Sequence, residues 1–194
     1  MFERFAGIAL AAAALFLVSP AATAEVIVYN ASLSGEAAPS AGTGTATVTY
    51  DDALHTLRVE ASFSGLTGNT TAAHIHCCTA LPYQGTAGVA TQTPSFVGFP
   101  LGVASGTYDQ TFDLTLASSW NPGFITANGG MLTSAEAALA AGLAAGKAYL
   151  NIHTNFAPGG EIRGFLAVPE PGMLALLGVA LVGLGIVRRA RHRA

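Results

Sequence analysis

Charge is scarce in this sequence: Asp, Glu, Lys and Arg make up 10% of its 194 residues. Bases are scarcest in the middle, where Arg58, Lys147 and Arg163 face nine acids, a balance of −6 over residues 25–168. A polyanion binder needs the opposite balance, so nucleic acid is excluded as a default partner. No Gly-x-Ser-x-Gly elbow occurs, and no glycine-rich loop follows a strand and opens a helix to cradle phosphate. Asp109 and Asp113 have no evident link to a Ser–His pair, and nothing marks two of the acids as a glycosidase pair across a cleft. The expectation is that the protein is not an enzyme. Long internal repeats and extended linkers are also missing, and the only two cysteines are adjacent, Cys77 and Cys78, far from the chain start.

What the sequence has in excess is apolar residues, 51% overall, and they are unevenly placed. Eighteen of the first 24 residues are apolar, as are 14 of the last 26, while residues 25–168 hold about 47%, an ordinary globular content. The start reads as a secretory signal. A polar stretch ending at Arg4 precedes an apolar run over 5–18, Pro20 breaks the run, and Ala22-Thr23-Ala24 offers small residues for cleavage after Ala24. The end carries a second apolar segment, 172–187, followed at once by Arg188, Arg189, Arg191 and Arg193. Sixteen residues are at the short edge for a membrane-spanning helix, and snorkelling arginines extend its reach. With the N-terminus exported, the basic cluster should stay cytoplasmic.

Pro169-Glu170-Pro171 stands immediately before that segment. The order Pro-Glu-Pro, apolar span, terminal arginines resembles the PEP-CTERM sorting signal of Gram-negative bacteria. The resemblance implies an exosortase-type protease as partner, a transient membrane anchor at the inner membrane, and a destination at the cell surface or in the extracellular matrix. Extracellular polysaccharide and surface proteins are the partners such a location brings. The expected organisation is therefore a signal peptide over 1–24, one domain over 25–168 and a sorting signal over 169–194.

Residues 25–168 are written with a period of two. Thr45, Thr47 and Thr49 interleave with Ala46, Val48 and Tyr50; after Asp51-Asp52, Leu57, Val59, Ala61 and Phe63 alternate with Thr56, Arg58, Glu60 and Ser62. Such runs on either side of a short acidic turn predict a hairpin. Further strands are predicted over 26–33, around Ile75, over 108–116, over 148–152 and from Glu161, seven or eight in all, which places the domain among all-β antiparallel sandwiches or barrels. One helix interrupts. Thr133-Ser134-Ala135-Glu136 has capping-box spacing, an Ala/Leu-rich run follows to Ala145, and Gly146 sits where a C-terminal cap belongs. The Gly/Pro/Thr-rich stretch 78–106 reads either as a functional lid or as irregular edge strands.

Candidate chemistry centres on histidine. His74-Ile75-His76 places two imidazoles on one strand face, with Ala73, Ile75 and Cys77 on the other; His153 shares a face with Tyr149 and Asn151. With the apolar faces in the core, all three histidines look outward, and they meet if their strands are neighbours. A His-x-His pair with a distant third histidine suits copper or zinc. The alternative is local hydrogen bonding that organises loops together with Glu161 and Arg163. His55, at a strand start, reads as solvated. Cys77 and Cys78 in an exported chain read as a disulfide, with Cys78 an additional candidate ligand.

Two blocks carry a family likeness over residues 26–166. Gly65-Leu66-Thr67 with Thr71-Ala72-Ala73-His74-Ile75-His76, and the run 146–154 with Pro158-Gly159-Gly160-Glu161-Ile162-Arg163-Gly164, resemble the motifs of the CHRD domain, first described in chordin; Leu33-Ser34-Gly35-Glu36 fits its opening. The resemblance implies an immunoglobulin-like β-barrel with limited likeness to copper/zinc superoxide dismutases, and a binding or structural role. A dismutase's bridged two-metal site needs more histidines than the one, His55, that remains in the domain.

Overall fold

The structure is a computed structural model and describes residues 25–35 and 40–169. The expected signal peptide, Glu36, the membrane segment 172–187 and the arginine cluster lie outside the described residues, as do Glu170 and Pro171 of the sorting motif. Among the described residues no helix is long and apolar enough to cross a membrane.

Seven strands form: β1 (Val26–Gly35), β2 (Thr43–Asp51), β3 (Thr56–Ser64), β4 (Thr70–His76), β5 (Gly106–Asp113), β6 (Tyr149–Thr154) and β7 (Ile162–Phe165). The alternation that predicted them is the alternation that builds the core. In β2, Ala46, Val48 and Tyr50 are buried while Thr45, Thr47 and Thr49 face out, and β3 opposes them residue for residue from Thr43↔Ser64 to Asp51↔Thr56. β-branched threonines on the outer face suit the extended backbone, and apolar partners on the inner face leave water. At the hairpin, Asp51 Oδ1 accepts from the Ala53 and Leu54 amides at 3.0 and 2.9 Å, so the acidic residue is itself the turn-former. β5 stops at Asp113 for the same reason, because its carboxylate captures the Thr115 amide at 2.9 Å.

All pairings are antiparallel, in the order β4-β6-β7-β1-β2-β3-β5. The all-β antiparallel class thus stands, and the seven strands make one curled sheet. Inner-face residues of every strand join one core cluster. The edges β4 and β5 do not pair with each other. The segment 88–104 runs along β4 instead, with Ala90 N donating to the Ile75 carbonyl (3.0 Å), Phe96 N to Ala73 (3.1 Å) and Gly102 N to Thr70 (2.8 Å). Two hydroxyls act as substitute backbone acceptors, Thr91 Oγ1 for the Ile75 amide and Ser95 Oγ for Ala73. Of the two readings of this stretch, the irregular edge fits: it pairs discontinuously along β4 and sends Ala90, Phe96 and Phe99 into the core.

Two helices stand where one was expected. α1 (Pro122–Ala127) starts on Asn121, whose side chain accepts from Gly123 N, with Pro122 in the first helical position. α2 (Leu132–Ala144) ends as anticipated: Gly146, at φ +65°, donates to Leu143 and Lys147 donates to Gly142, a Schellman closure. Its start differs from the capping-box expectation. Met131 is the N-cap and makes no side-chain cap bond, Ser134 Oγ donates back to the Met131 carbonyl, and Glu136 is buried inside the fold. The Tyr50 hydroxyl donates to Glu136 (3.0 Å) and His55 Nδ1 lies 3.0 Å from it, which removes Glu136 from any capping role.

Candidate metal centre

β4 and β6 are sheet neighbours with Ala72↔His153, His74↔Asn151 and His76↔Tyr149 in register. The strand period sends Ala73, Ile75, Leu150 and Ile152 into the core and leaves His74, His76, Asn151 and His153 together on the other face. Adjacency of the two strands, which no local sequence pattern announces, brings the three histidines into one group. One ring nitrogen from each lies within 4.8 Å of those of the other two. The face is not open, however. His74 and His76 are 6% and 7% exposed, and only His153 is part-exposed, which corrects the outward-looking expectation.

The covering segments also fix the tautomers. His74 Nε2 is 2.7 Å from the Pro94 carbonyl, His76 Nδ1 is 2.9 Å from that of Ala87, and His153 Nδ1 is 2.8 Å from that of Pro158. A carbonyl only accepts, so each of these nitrogens carries the proton and donates. The remaining nitrogens, His74 Nδ1, His76 Nε2 and His153 Nε2, are therefore bare lone pairs. His74 Nδ1 is buried without a hydrogen-bond partner. His76 Nε2 and His153 Nε2 face each other at 3.4 Å, where two lone pairs repel unless a cation lies between them. Two nitrogens at the usual zinc distance of about 2.0–2.1 Å in tetrahedral geometry stand about 3.3 Å apart.

Electrostatics keep the rings neutral. Burial pushes all three below the ordinary histidine value, His74 to about 4, with His153 lowering both His74 and His76 further by like charge. Neutral imidazole is the ligating form. His76 is further held by the Tyr149 ring stacked on it (centroids 4.9 Å apart), and the Arg163 guanidinium sits 4.7 Å from the centre of that same Tyr149 ring.

The other sequence candidates are placed elsewhere. Cys77 and Cys78 form a disulfide packed against Gly142 of α2, and Cys78 is outside the histidine group, so it is not an additional ligand. His55 is not simply solvated. It is held by Glu136, whose hydrogen bond raises its pKa. Both oxygens of Glu161 are engaged away from the histidines, accepting from Ser40, Thr67, Gly68 and Thr154. Sequence reasoning missed Asn151. Among the described residues its amide oxygen is the second buried side-chain atom without a hydrogen-bond partner, on the residue paired with His74 across the strands, and its only signal was its place between Tyr149 and His153 in a period-two run.

Residues 29–166 match the family model of the CHRD domain. The chain belongs to the CHRD domain family. Residues 167–190 match the PEP-CTERM protein-sorting motif, which marks export, C-terminal membrane anchoring and processing by an exosortase-type system in Gram-negative bacteria. No curated protein and no solved structure matches the chain. The three histidines and the carbonyls of Ala87, Pro94 and Pro158 that orient them all fall within the CHRD match.

Proposed function

We propose that this CHRD domain is a non-enzymatic extracellular metal-binding module for copper or zinc, displayed at the cell surface or in the matrix after an exosortase-type protease removes its tail. The observation that carries the reading is the grouping of the rings: three buried or half-buried imidazoles each give one nitrogen to a backbone carbonyl, and ring nitrogens of all three lie within 4.8 Å of one another. Backbone carbonyls as outer partners orient ligating histidines in known metal sites. A dismutase-type second metal is not part of the proposal, because His55 is committed to Glu136.

Elemental analysis of the exported full chain, purified in detergent, tests it. One equivalent of copper or zinc is expected after challenge, with stabilisation of roughly 2.7 kcal/mol when free metal exceeds Kd a hundredfold. A protein that retains neither metal and gains no thermal stability from either overturns the reading. The delivery half is tested separately: a strain whose copy lacks residues 169–194 should lose surface display, and unchanged display contradicts it.

A further inference from the structure

Among the described residues, two buried side-chain atoms lack hydrogen-bond partners, His74 Nδ1 and Asn151 Oδ1, and they belong to residues paired across β4 and β6. A buried acceptor without a partner has lost its water and gained nothing in return, so two on the histidine face need a reason. The Asn151 amide is held deliberately. It is 2% exposed, its Nδ2 donates to the Gly159 carbonyl at 3.1 Å, and it lies flat on Gly160, where any Cβ would overlap it. Gly160 stands at φ +128°, a conformation that side chains rarely adopt, so this position is open to the amide and closed to other residues. With Nδ2 engaged, Oδ1 is the atom left to accept.

Four acceptors, Nδ1 of His74, Nε2 of His76, Nε2 of His153 and Oδ1 of Asn151, therefore belong to side chains of one face whose other polar atom is already given to a backbone carbonyl, of Pro94, Ala87, Pro158 and Gly159 respectively. One water supplies two hydrogens and satisfies two acceptors at most. A cation held by the three imidazoles, with a water bound to it, offers both a charge for the nitrogens and a hydrogen for the amide oxygen.

Building on the metal-binding reading above, we propose that Asn151 is the fourth member of the centre, its amide oxygen bound to the ion or accepting a hydrogen from a water on it. The centre then takes a four-coordinate divalent ion, zinc or divalent copper, on three nitrogens and one oxygen. Univalent copper, a softer ion, gains little from an amide oxygen and is the disfavoured guest.

The test compares wild type, Asn151→Leu and Asn151→Asp in the exported full chain, stripped by chelator. Zinc and anaerobic univalent copper affinities are measured by competition, and the visible spectrum is recorded after cobalt loading. Leu matches the size of Asn without its oxygen; Asp keeps an oxygen in place. Asn151→Leu is expected to weaken zinc ten- to a hundredfold and to shift the cobalt bands, with univalent copper changed by less than about threefold. Asn151→Asp is expected to restore zinc binding and the wild-type type of spectrum. If Asn151→Leu binds zinc within about threefold of wild type with an unshifted cobalt spectrum, Asn151 has no place in the centre. Equal losses for zinc and univalent copper that Asp does not rescue assign it a structural role and overturn the proposal equally. Should Asn151→Leu not fold, Asn151→Ala carries the same comparison. A wild-type chain that binds none of these ions fails the metal-binding reading itself, an outcome distinct from a wild type that binds and an Asn151 variant that does not differ.

Discussion

Replacing Glu161 by Gln should remove a large part of this domain's stability, and should do so in a pH-dependent way. The Glu161 carboxylate is fully buried and accepts four hydrogen bonds: from Ser40 Oγ at 2.5 Å, Thr67 N at 2.6 Å, Gly68 N at 3.0 Å and Thr154 Oγ1 at 2.7 Å. Those donors tie the loop after β3, the stretch leading into β2 and the end of β6 to the start of β7. Burial alone would raise the carboxyl pKa, but the four donors together outweigh burial and bring it from 4.5 to about 2. A depressed folded-state pKa stabilises the fold above the unfolded value and loses that contribution as pH falls from about 4.5 toward 2. That lowering is worth on the order of 3 kcal/mol, a sizeable share of the roughly 5–15 kcal/mol that holds a domain. Gln keeps the shape but turns an NH2 group toward donors, so a variant penalty of about 3 kcal/mol is expected at pH 7. By pH 3 about 2 kcal/mol of the wild-type advantage should have gone. Urea unfolding of both proteins at the two pH values, followed through the single buried tryptophan, Trp120, measures this directly. A penalty below about 1 kcal/mol at pH 7, or the same penalty at pH 3, refutes the reasoning.

Three further outcomes are expected. His55, hydrogen-bonded to Glu136, should titrate above 6.5 by NMR and return toward it in Glu136→Gln; because the folded value is raised, its contribution to stability is present below the unfolded value and fades as pH rises through the folded one. Gly142→Ala should destabilise by about 1–3 kcal/mol, since the new methyl would overlap both sulfurs of the Cys77–Cys78 bridge, and most of that cost should vanish in a Cys77→Ala/Cys78→Ala background when the two are compared by chemical unfolding. Ser95→Ala should cost about 1–2 kcal/mol in the same assay by orphaning the Ala73 amide on the β4 edge; no loss would mean that the segment 88–104 holds that edge without it.

Much of the molecule was legible before any coordinates. Strands β1 to β3 follow from strict alternation, because a half-buried strand must put apolar residues on every second position, and the turns follow from Asp51 and Gly146, whose chemistry acts within three residues. The sorting motif was equally local, an ordered string of residue types at Pro169 to Arg193. Where local rules conflicted with packing, packing prevailed. Thr133 to Glu136 has capping-box spacing, yet Glu136 is worth more to the fold as the buried acceptor for Tyr50 and His55 than as a cap at the first turn of α2. The choice between sandwich and barrel stayed open for a related reason: alternation shows that a strand has a buried face, and says nothing of which neighbours share its sheet.

The sequence by itself determined the strands, their inward faces, the family and the placing of two histidines on one side of β4. Only the tertiary structure decided that β6 lies beside β4, so that His153 and Asn151 join them, and that the segment 88–104 crosses over that side and turns the carbonyl of Pro94 to His74 while Ala87 answers His76. Those are contacts between residues 11 to 79 positions apart, from His76–Ala87 to His74–His153, set by the order of strands in the sheet and the path of an irregular chain. Periodicity orients a side chain about its own backbone. Which lone pairs meet across two strands, and which of them are left without a donor, is settled only when the sheet closes around its core.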